Sequence, residues 1–267
     1  MSVAIVRGIT DAYEAATRAA PVPIDVGRAR EQHAAYVAAL EALGFEIWRL
    51  SPHESMPDGC FVEDQAVVVG PTALMTRSGH PGRRAESASV ATALQALGIG
   101  VVRMTDGVLD GGDVLRVGDT LYVGVSGRSD PAGQLALRRT FPALEVRPLP
   151  VPNGTLHLKS VCSSPVPGLV VVAEGTLPPN TFAGDVIVVP AHEAWAANLV
   201  GVGETVIVGA GFPRTKQALE AHGLTTIVVE ASEIRAGDGG LTCLSLLLPG
   251  PRRKSAAGRG RAAGSLR

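Results

Sequence analysis

Three residues of the kind used in covalent catalysis stand in comparable positions along this sequence. Cys243 in LTCLS, His157 in LHLKS and Asp110 in LDGGDV each come just before a short apolar run. A cysteine thiolate attacks electrophilic carbon when a base or a neighbouring charge activates it. A histidine can act as that acid or base, and a carboxylate then fixes its tautomer. The pattern therefore predicts Cys243 as nucleophile, His157 as general acid and base, and Asp110 as the residue that orients the histidine.

These assignments have simpler structural alternatives. Cys243 is also typical of a small buried apolar residue. Asp113 is a second candidate for orienting the histidine, or it stabilises the turn that Gly111 and Gly112 allow. A zinc site built from Cys243, His157 and an acid is disfavoured, because the sequence contains no CxxC or HxxxH spacing. We therefore expect neither a metal nor a cofactor.

A pair of acids, Glu63 and Asp64 in FVEDQ, gives a second chemical signal. Adjacent residues of a strand point to opposite faces, so both can reach one ligand only where the strand ends or bends. Two carboxylates in one pocket repel each other unless a cation lies between them. A planar guanidinium suits that position because it pairs with carboxylates through two donors. A solvated acidic pair at the entrance of a strand is the alternative.

The elements that must position these residues recur along the chain. Units of strand, strand, helix and strand begin near 61, 110, 157 and 198, and a partial unit begins near 243. Helical patterns lie at 28–43, 84–97, 130–141 and 213–222, with only a weak, short helix before the strand VIVVP at 186–190. The N-terminal strand at 3–7 can complete the partial unit and close a ring, which removes exposed strand edges. We predict a five-bladed pseudosymmetric α/β propeller of ββαβ-type repeats. A doubly wound sheet is the alternative, although its Gly-rich phosphate loop is missing.

Composition restricts the partners and the location. The 267 residues are 46% apolar and carry a net charge of −1, so nothing in the overall charge indicates nucleic acid. No apolar run has the ~20 residues needed to span a membrane, and no signal peptide is evident. An odd number of cysteines, three, favours free thiols in the reducing cytoplasm. We expect one catalytic domain over 1–249, with an irregular link at 8–27 that is either functional or disordered, and a disordered basic tail at 250–267.

Five motifs in order resemble those of the dimethylarginine dimethylaminohydrolases, a family of the guanidino-modifying (pentein) superfamily. They are FVED at 61–64, LDGGDVL at 109–115, LYVGVSGRS at 121–129, LHLKSVCS at 156–163 and LTCLS at 241–245. The resemblance covers roughly 3–249 and implies the propeller fold. It places the catalytic roles on Cys243, His157 and Asp110. The substrate contacts that it implies are the guanidinium carboxylates Glu63 and Asp64, the α-amine ligand Asp58, the α-carboxylate ligands Arg83 and Arg128, the lid residue Ile9, the pocket residue Phe61, and Gly237, which stands where the family has a larger apolar residue.

The resemblance also implies a reaction. Free Nω-methylated arginine would be hydrolysed to citrulline and methylamine or dimethylamine through a thiouronium on Cys243. The substrate is a small molecule, no cofactor takes part, and the enzyme would be a cytoplasmic monomer or homodimer. Arginine deiminases and amidinotransferases are similar in chemistry but have longer chains. A non-catalytic alternative is a binding module similar to the ribosome anti-association factor of the same fold, which has no need of a cysteine, histidine and carboxylate set.

Overall fold

The strands of the protein group into five small sheets. The computed structural model describes residues 2–178, 180–248 and 250. Its described residues contain fifteen strands: β1 (Ser2–Arg7), β2 (Phe45–Leu50), β3 (Ala66–Val69), β4 (Thr72–Met75), β5 (Gly100–Arg103), β6 (Val114–Val117), β7 (Thr120–Val125), β8 (Glu145–Pro150), β9 (Cys162–Val166), β10 (Leu169–Ala173), β11 (Asp185–Val189), β12 (Val200–Val202), β13 (Thr205–Gly209), β14 (Thr225–Val229) and β15 (Leu246–Leu248). Hydrogen bonds join them in the orders β3–β4–β5, β6–β7–β8, β9–β10–β11, β12–β13–β14 and β15–β1–β2. This arrangement excludes one doubly wound sheet and confirms the five-bladed prediction.

Each sheet combines one antiparallel and one parallel pairing around its middle strand. In the second sheet along the chain, β7 runs antiparallel to β6, with Val117 opposite Thr120, and parallel to β8. The antiparallel turn is tight because Gly118 between these strands adopts a φ of 57°, which glycine tolerates. The parallel neighbour requires a longer crossover, which a helix supplies here.

Five α-helices occur in the described residues: α1 (Val26–Ala42), α2 (Ser87–Ala96), α3 (Pro131–Thr140), α4 (Pro213–Ala221) and α5 (Ser232–Ala236). The first four match the predicted helical patterns to within a few residues. Two start at an aspartate that accepts a backbone hydrogen bond, Asp25 from the N–H of Arg28 at 3.0 Å and Asp130 from the N–H of Gly133 at 2.8 Å. Such caps set the start of a helix, so these boundaries are readable from the sequence.

The connection between β10 and β11 differs from the sequence prediction of a short, weak helix. No helix forms in the described residues between Ala173 and Asp185. Gly175 and Gly184 take φ values of 74° and 103°, which break a right-handed helix. Pro178 lies between them and removes a further backbone donor. The third blade therefore keeps its three strands but crosses over through an irregular loop.

The first and last described strands close the ring within one sheet. Strand β1 pairs antiparallel with β15, where Ile5 lies opposite Leu246, and parallel with β2. Ile5 and Leu246 pack with Val90 and Leu94 of α2, which belongs to the neighbouring blade, in one buried apolar cluster. Each fully buried side chain of this size stabilises the fold by roughly 1.5–3 kcal/mol. Packing of this kind between blades, together with the strand pairing, holds the ring closed.

Two further sequence predictions concern the surroundings of the ring. Among the described residues, no helix has the length and apolar character that a membrane crossing demands. Of the predicted basic tail at 250–267, everything after Gly250 lies outside the described residues.

Candidate active site

A short 3-10 turn precedes the first strand of each sheet in the described part of the chain. The turns are Val62–Gln65, Gly111–Asp113, Leu158–Ser160, Ala191–Ala197 and Thr242–Leu244. The first four turns contact one another in succession, and the turn at 62–65 also contacts the one at 242–244. Cys243 lies inside its turn, while Asp110 and His157 are the residues that begin theirs. The heads of the repeated units therefore meet at the centre of the ring, which brings the predicted catalytic residues together.

Cys243 lines the cavity formed by these turns and is the one cysteine that is not fully buried; Cys60 and Cys162 lie in the core. Its Sγ accepts a hydrogen bond from the backbone N–H of Gly240 at 3.4 Å. Burial and the negative charges of Glu63 and Asp64 raise the pKa of this thiol to about 12. The cysteine is thus protonated at neutral pH when the cavity holds no cation, and a bound cation would favour the thiolate.

Asn198 holds the turn that carries the nucleophile. Its side-chain oxygen accepts from the backbone N–H of Thr242 at 2.9 Å, and its Nδ2 donates to the carbonyl of Lys159 at 2.8 Å. The hydroxyl of Thr242 donates to Glu63 at 2.6 Å. Asn198 thereby ties together the turns that carry Cys243 and His157.

His157 lies buried across the cavity and donates from Nε2 to Asp110 Oδ2 at 3.2 Å. Burial alone would lower the pKa of this imidazole, but Asp64, the hydrogen bond to Asp110 and the charge of Asp113 together raise it. Asp113 is held by other groups, because it accepts from two serine hydroxyls and from the backbone N–H of Leu158. The structure therefore places Asp110 as the hydrogen-bonding partner of His157, with Asp113 supporting the turn.

Asp64 is buried beside His157, and its Oδ1 lies 3.9 Å from the histidine Nδ1. The backbone N–H of Gly112 donates to Oδ1 at 3.0 Å, and Arg83 Nη1 donates to Oδ2 at 2.8 Å. Burial would raise the pKa of this carboxyl, but the positive charges of His157 and Arg83 lower it to about 2. Asp64 is consequently a permanent negative charge on the cavity wall.

Arg83, for which a contact with the substrate carboxylate stays a prediction, is held mainly by groups of the protein itself. Its Nε and Nη2 donate to Glu86, and Nη2 also donates to the carbonyls of Asp58 and Phe61. With the bond to Asp64, four of its five N–H donors are engaged inside the protein. Arg83 borders the cavity, but its hydrogen bonds hold Asp64 in place.

Glu63 stands behind the cavity wall. Its carboxylate is paired with the ammonium of Lys159 and accepts from Thr242, and it does not belong to the lining of the catalytic cavity among the described residues. Glu63 and Asp64 thus share a 3-10 turn but face different partners. From behind the residues that line the cavity, the negative charge of Glu63 raises the pKa of Cys243.

The remaining predicted substrate residues differ in their positions. Asp58, Phe61, Arg128 and Gly237 line the cavity. Both oxygens of Asp58 accept from the backbone N–H of Thr17, and Arg128 Nη1 donates to Asp110 at 3.4 Å. Gly237 has no room for the larger residue of the family, because a Cβ there would collide with the hydroxyl of Tyr13.

Ile9 does not reach the cavity. Its side chain is buried in the apolar cluster under α1, and its carbonyl accepts from Arg30. Thr17, which follows the 3-10 helix Asp11–Ala15 within the predicted irregular segment, lines the cavity instead. The segment from 8 to 27 has no helical or strand periodicity, so the sequence could not indicate which of its residues points inward.

Several residues that shape the site were not predicted from the sequence. Lys159 and Thr242 sit next to predicted catalytic residues within the motifs LHLKS and LTCLS, which was the available signal. Trp195 Nε1 donates to the carbonyl of Gly239 at 3.0 Å and thereby fixes the glycine-rich approach to Cys243. No sequence pattern marked this last contact.

Ligand atoms of Asp64, Asp110 and His157 all lie within 4.8 Å of one another, close enough to hold a metal ion. However, Asp64 is already bound by the guanidinium of Arg83, and Asp110 accepts from that of Arg128. Two positive charges next to the cluster oppose the addition of a third. The donor set fits a histidine held between carboxylates better than it fits a metal site.

Known enzymes resemble this protein in sequence and in fold. No family model matches the sequence. The dimethylarginine dimethylaminohydrolase of Streptomyces coelicolor is 39% identical over 232 residues, which cover 84% of this chain and 88% of that protein. The Pseudomonas aeruginosa enzyme, solved as a Cys-to-Ser mutant with citrulline, superposes with a TM-score of 0.87 at 30% identity, over 92% of this chain and 98% of that chain.

A second solved dimethylarginine dimethylaminohydrolase, an adduct with S-methyl-L-thiocitrulline, has a TM-score of 0.86 at 31% identity, over 93% of this chain and all of that chain. These relatives match the protein over nearly their whole length, and their fold is the pentein propeller seen here. With its five three-stranded blades and a cysteine, a histidine and carboxylates at their heads, this chain belongs to the dimethylarginine dimethylaminohydrolase family.

Proposed function

We propose that the protein hydrolyses free Nω-methylated arginine to citrulline and methylamine or dimethylamine. The observation that carries the proposal is the single cavity that joins the Cys243 thiol, the buried His157–Asp110 pair and the carboxylate of Asp64. Its relatives from Streptomyces coelicolor and Pseudomonas aeruginosa bear the name of this activity. The expectation of a cytoplasmic monomer or homodimer that acts on a small molecule belongs to the same proposal.

The first step is binding of the guanidinium cation. Asp64 carries a negative charge at neutral pH, so it can pair with one edge of the guanidinium. Glu63 adds negative potential from behind the wall. The same two carboxylates raise the pKa of Cys243, so the positive charge of the substrate offsets their effect. The thiol releases its proton to solvent as the cation binds, and the thiolate attacks the central carbon.

The second step breaks the carbon–nitrogen bond. Attack by the thiolate forms a carbon–sulfur bond and a tetrahedral adduct. His157, whose pKa is raised, is the proton donor, and it protonates the departing amine. The carbon–nitrogen bond breaks and leaves a thiouronium on Cys243. The neutral imidazole then deprotonates a water molecule, which adds to the same carbon. The carbon–sulfur bond of this adduct then breaks, its hydroxyl proton passes to the sulfur, and citrulline leaves with the thiol restored.

The other end of the cavity selects a free amino acid. Asp58 is a carboxylate at the wall that suits an α-amine, and Arg128 supplies positive charge for an α-carboxylate. We propose that the 8–27 segment is the lid. It lies over this end of the cavity, where the backbone N–H of Thr17 donates to Asp58. A methylated arginine within a peptide lacks both charges, so we expect it to be a poor substrate.

The test is direct. Purified protein is incubated with free asymmetric dimethylarginine, and citrulline and dimethylamine are quantified, with Cys243→Ser as the matched control. Equal amounts of both products from the wild type and none from the variant support the proposal. Citrulline from unmodified arginine alone would show a deiminase instead. Absence of product from either substrate would favour the non-catalytic binding module.

A further inference from the structure

An outer cavity adjoins the catalytic cavity on the side of the 8–27 segment. The two share six lining residues, namely Thr17, Arg128, Leu156, Ser160, Trp195 and Asp238, so they form one continuous cleft. Arg18 lines the outer cavity and was not marked by any sequence motif. The amino acid end of a substrate whose guanidinium reaches Cys243 has to extend toward this outer part.

The backbone around Arg18 is fixed on both sides. The N–H and the hydroxyl of Thr17 donate to Asp58, and the N–H of Ala19 donates to Asp238. These carboxylates come from two distant parts of the chain, one before the FVED turn and one before the nucleophile. Arg18 is therefore held between them at the mouth rather than carried on a free loop.

The guanidinium of Arg18 has an unused donor. Its Nη1 is buried, yet it has no hydrogen-bond partner among the described residues. Leaving a buried donor without an acceptor is costly, and more so when the group is charged. In contrast, Arg83 spends four donors inside the protein, and Arg128 already donates to Asp110. An acceptor carrying negative charge at this point would complete the site.

We propose that Arg18 determines specificity by binding the α-carboxylate of the substrate, together with Arg128. The inference rests on the proposed function, which places a free amino acid in this cleft. A guanidinium matches a carboxylate through two parallel hydrogen bonds, whereas other anion-binding groups offer a single point of charge. Arg18 thus adds a further guanidinium beside that of Arg128 at this end of the cleft.

The test compares two substrates that differ only in the carboxylate: asymmetric dimethylarginine, and dimethylagmatine, in which hydrogen replaces that group. Dimethylamine release is measured for the wild type, Arg18→Gln and Arg18→Lys. We expect Arg18→Gln to raise KM for dimethylarginine roughly 10- to 100-fold, as for loss of a charged hydrogen bond. Turnover of dimethylagmatine should change less than about 3-fold, because that substrate never makes the contact. Arg18→Lys, which keeps the charge but loses the planar fork, should fall in between.

Arg235→Gln is the matched control, since Arg235 lines the same outer cavity with an exposed side chain. An equal loss on both substrates in Arg18→Gln would show a structural role and overturn the proposal. So would an equal effect of Arg235→Gln, which would indicate a diffuse field.

Calorimetric binding of citrulline and citrullinamide to Cys243→Ser, with and without Arg18→Gln, separates this inference from the proposed function. No turnover by the wild type, with carboxylate-dependent binding that needs Arg18, would refute hydrolysis alone. Turnover with no dependence on Arg18 would refute this inference alone.

Discussion

Gly112 lies beside both the proposed catalytic residue His157 and Asp64, the carboxylate that we propose binds the guanidinium, so adding one methyl group there tests the geometry of the site. A Cβ at this position would lie 2.6 Å from His157 Nδ1 and 2.8 Å from Asp64 Oδ1. The N–H of Gly112 also donates to Asp64. In Gly112→Ala, the methyl group must therefore push both side chains away from the cavity.

The size of the effect follows from these distances. Ordinary contact with a Cβ begins at 3.4 Å, so the imidazole has to retreat by about 0.8 Å. Misplacement of a catalytic group by about 1 Å can reduce the rate roughly 100-fold. We expect kcat of Gly112→Ala to fall about 30- to 100-fold. Overpacking of this kind also costs roughly 1–3 kcal/mol of folding free energy.

The assay measures kcat for dimethylarginine and the thermal midpoint of unfolding. Gly100→Ala is the control, because a Cβ on the exposed Gly100 meets nothing closer than 3.4 Å. Adding His157→Ala to Gly112→Ala should recover part of the lost stability, since the collision with the ring at 2.6 Å is then gone while the one with Asp64 at 2.8 Å remains. A Gly112→Ala enzyme that turns over at the wild-type rate, or a double variant no more stable than the single one, would refute the reasoning.

Three further predictions concern other groups. The raised pKa of Cys243 predicts that iodoacetamide modifies the ligand-free protein slowly at about pH 7 and faster as the pH rises. Glu63→Gln should accelerate the reaction at about pH 8, because it removes a negative charge near the thiol. The same rate at about pH 7 and about pH 9 would contradict this. Burial, with a smaller contribution from the charge of Arg49, lowers the pKa of His33 to about 4, below its ordinary 6.5. The unfolded chain thus binds this proton first as the pH falls, and up to about 3 kcal/mol of stability is lost between about pH 6.5 and pH 4; urea unfolding of His33→Leu should show a flatter pH dependence, and an unchanged slope would count against it. Asn198→Ala removes the bond to the N–H of Thr242 and should cost roughly 1–3 kcal/mol of stability; an unchanged unfolding midpoint by calorimetry would show that this bond contributes nothing.

The sequence predicts the fold well because its local signals agree with each other. Capping aspartates, left-handed glycines and short apolar strands recur with one spacing, and such consistency specifies a repeated unit. The recurrence also explains why Asp110, His157 and Cys243 could be found, since equivalent positions in a ring converge at its centre. The crossover after β10 escaped this logic, because Gly175 and Gly184 override a weak helical preference.

Side-chain partners within the site could not be read in the same way. The pairing of Arg83 with Asp64 could not be predicted, because the two residues are distant in sequence and meet only after folding. Ile9 was predicted at the cavity wall, where the structure has Thr17. The cause is similar, because the sequence of this segment has no period that fixes which side chains face inward. Residue types therefore gave the chemistry, while distances were needed to assign each partner.

The pairing of β1 with β15 has a consequence for biosynthesis. A contact between Val3 and Leu248 can form only after the chain has left the ribosome as far as Leu248, and pairings so far apart in sequence form slowly. A chain terminated before Cys243 would hold Asp64, Asp110 and His157 but not the proposed nucleophile, and β1 would keep one open edge, a surface prone to aggregation. The exposed edge of β1 marks such fragments for degradation before they bind substrate. Pairing of β15 with β1 therefore hides this edge only in chains that also contain Cys243.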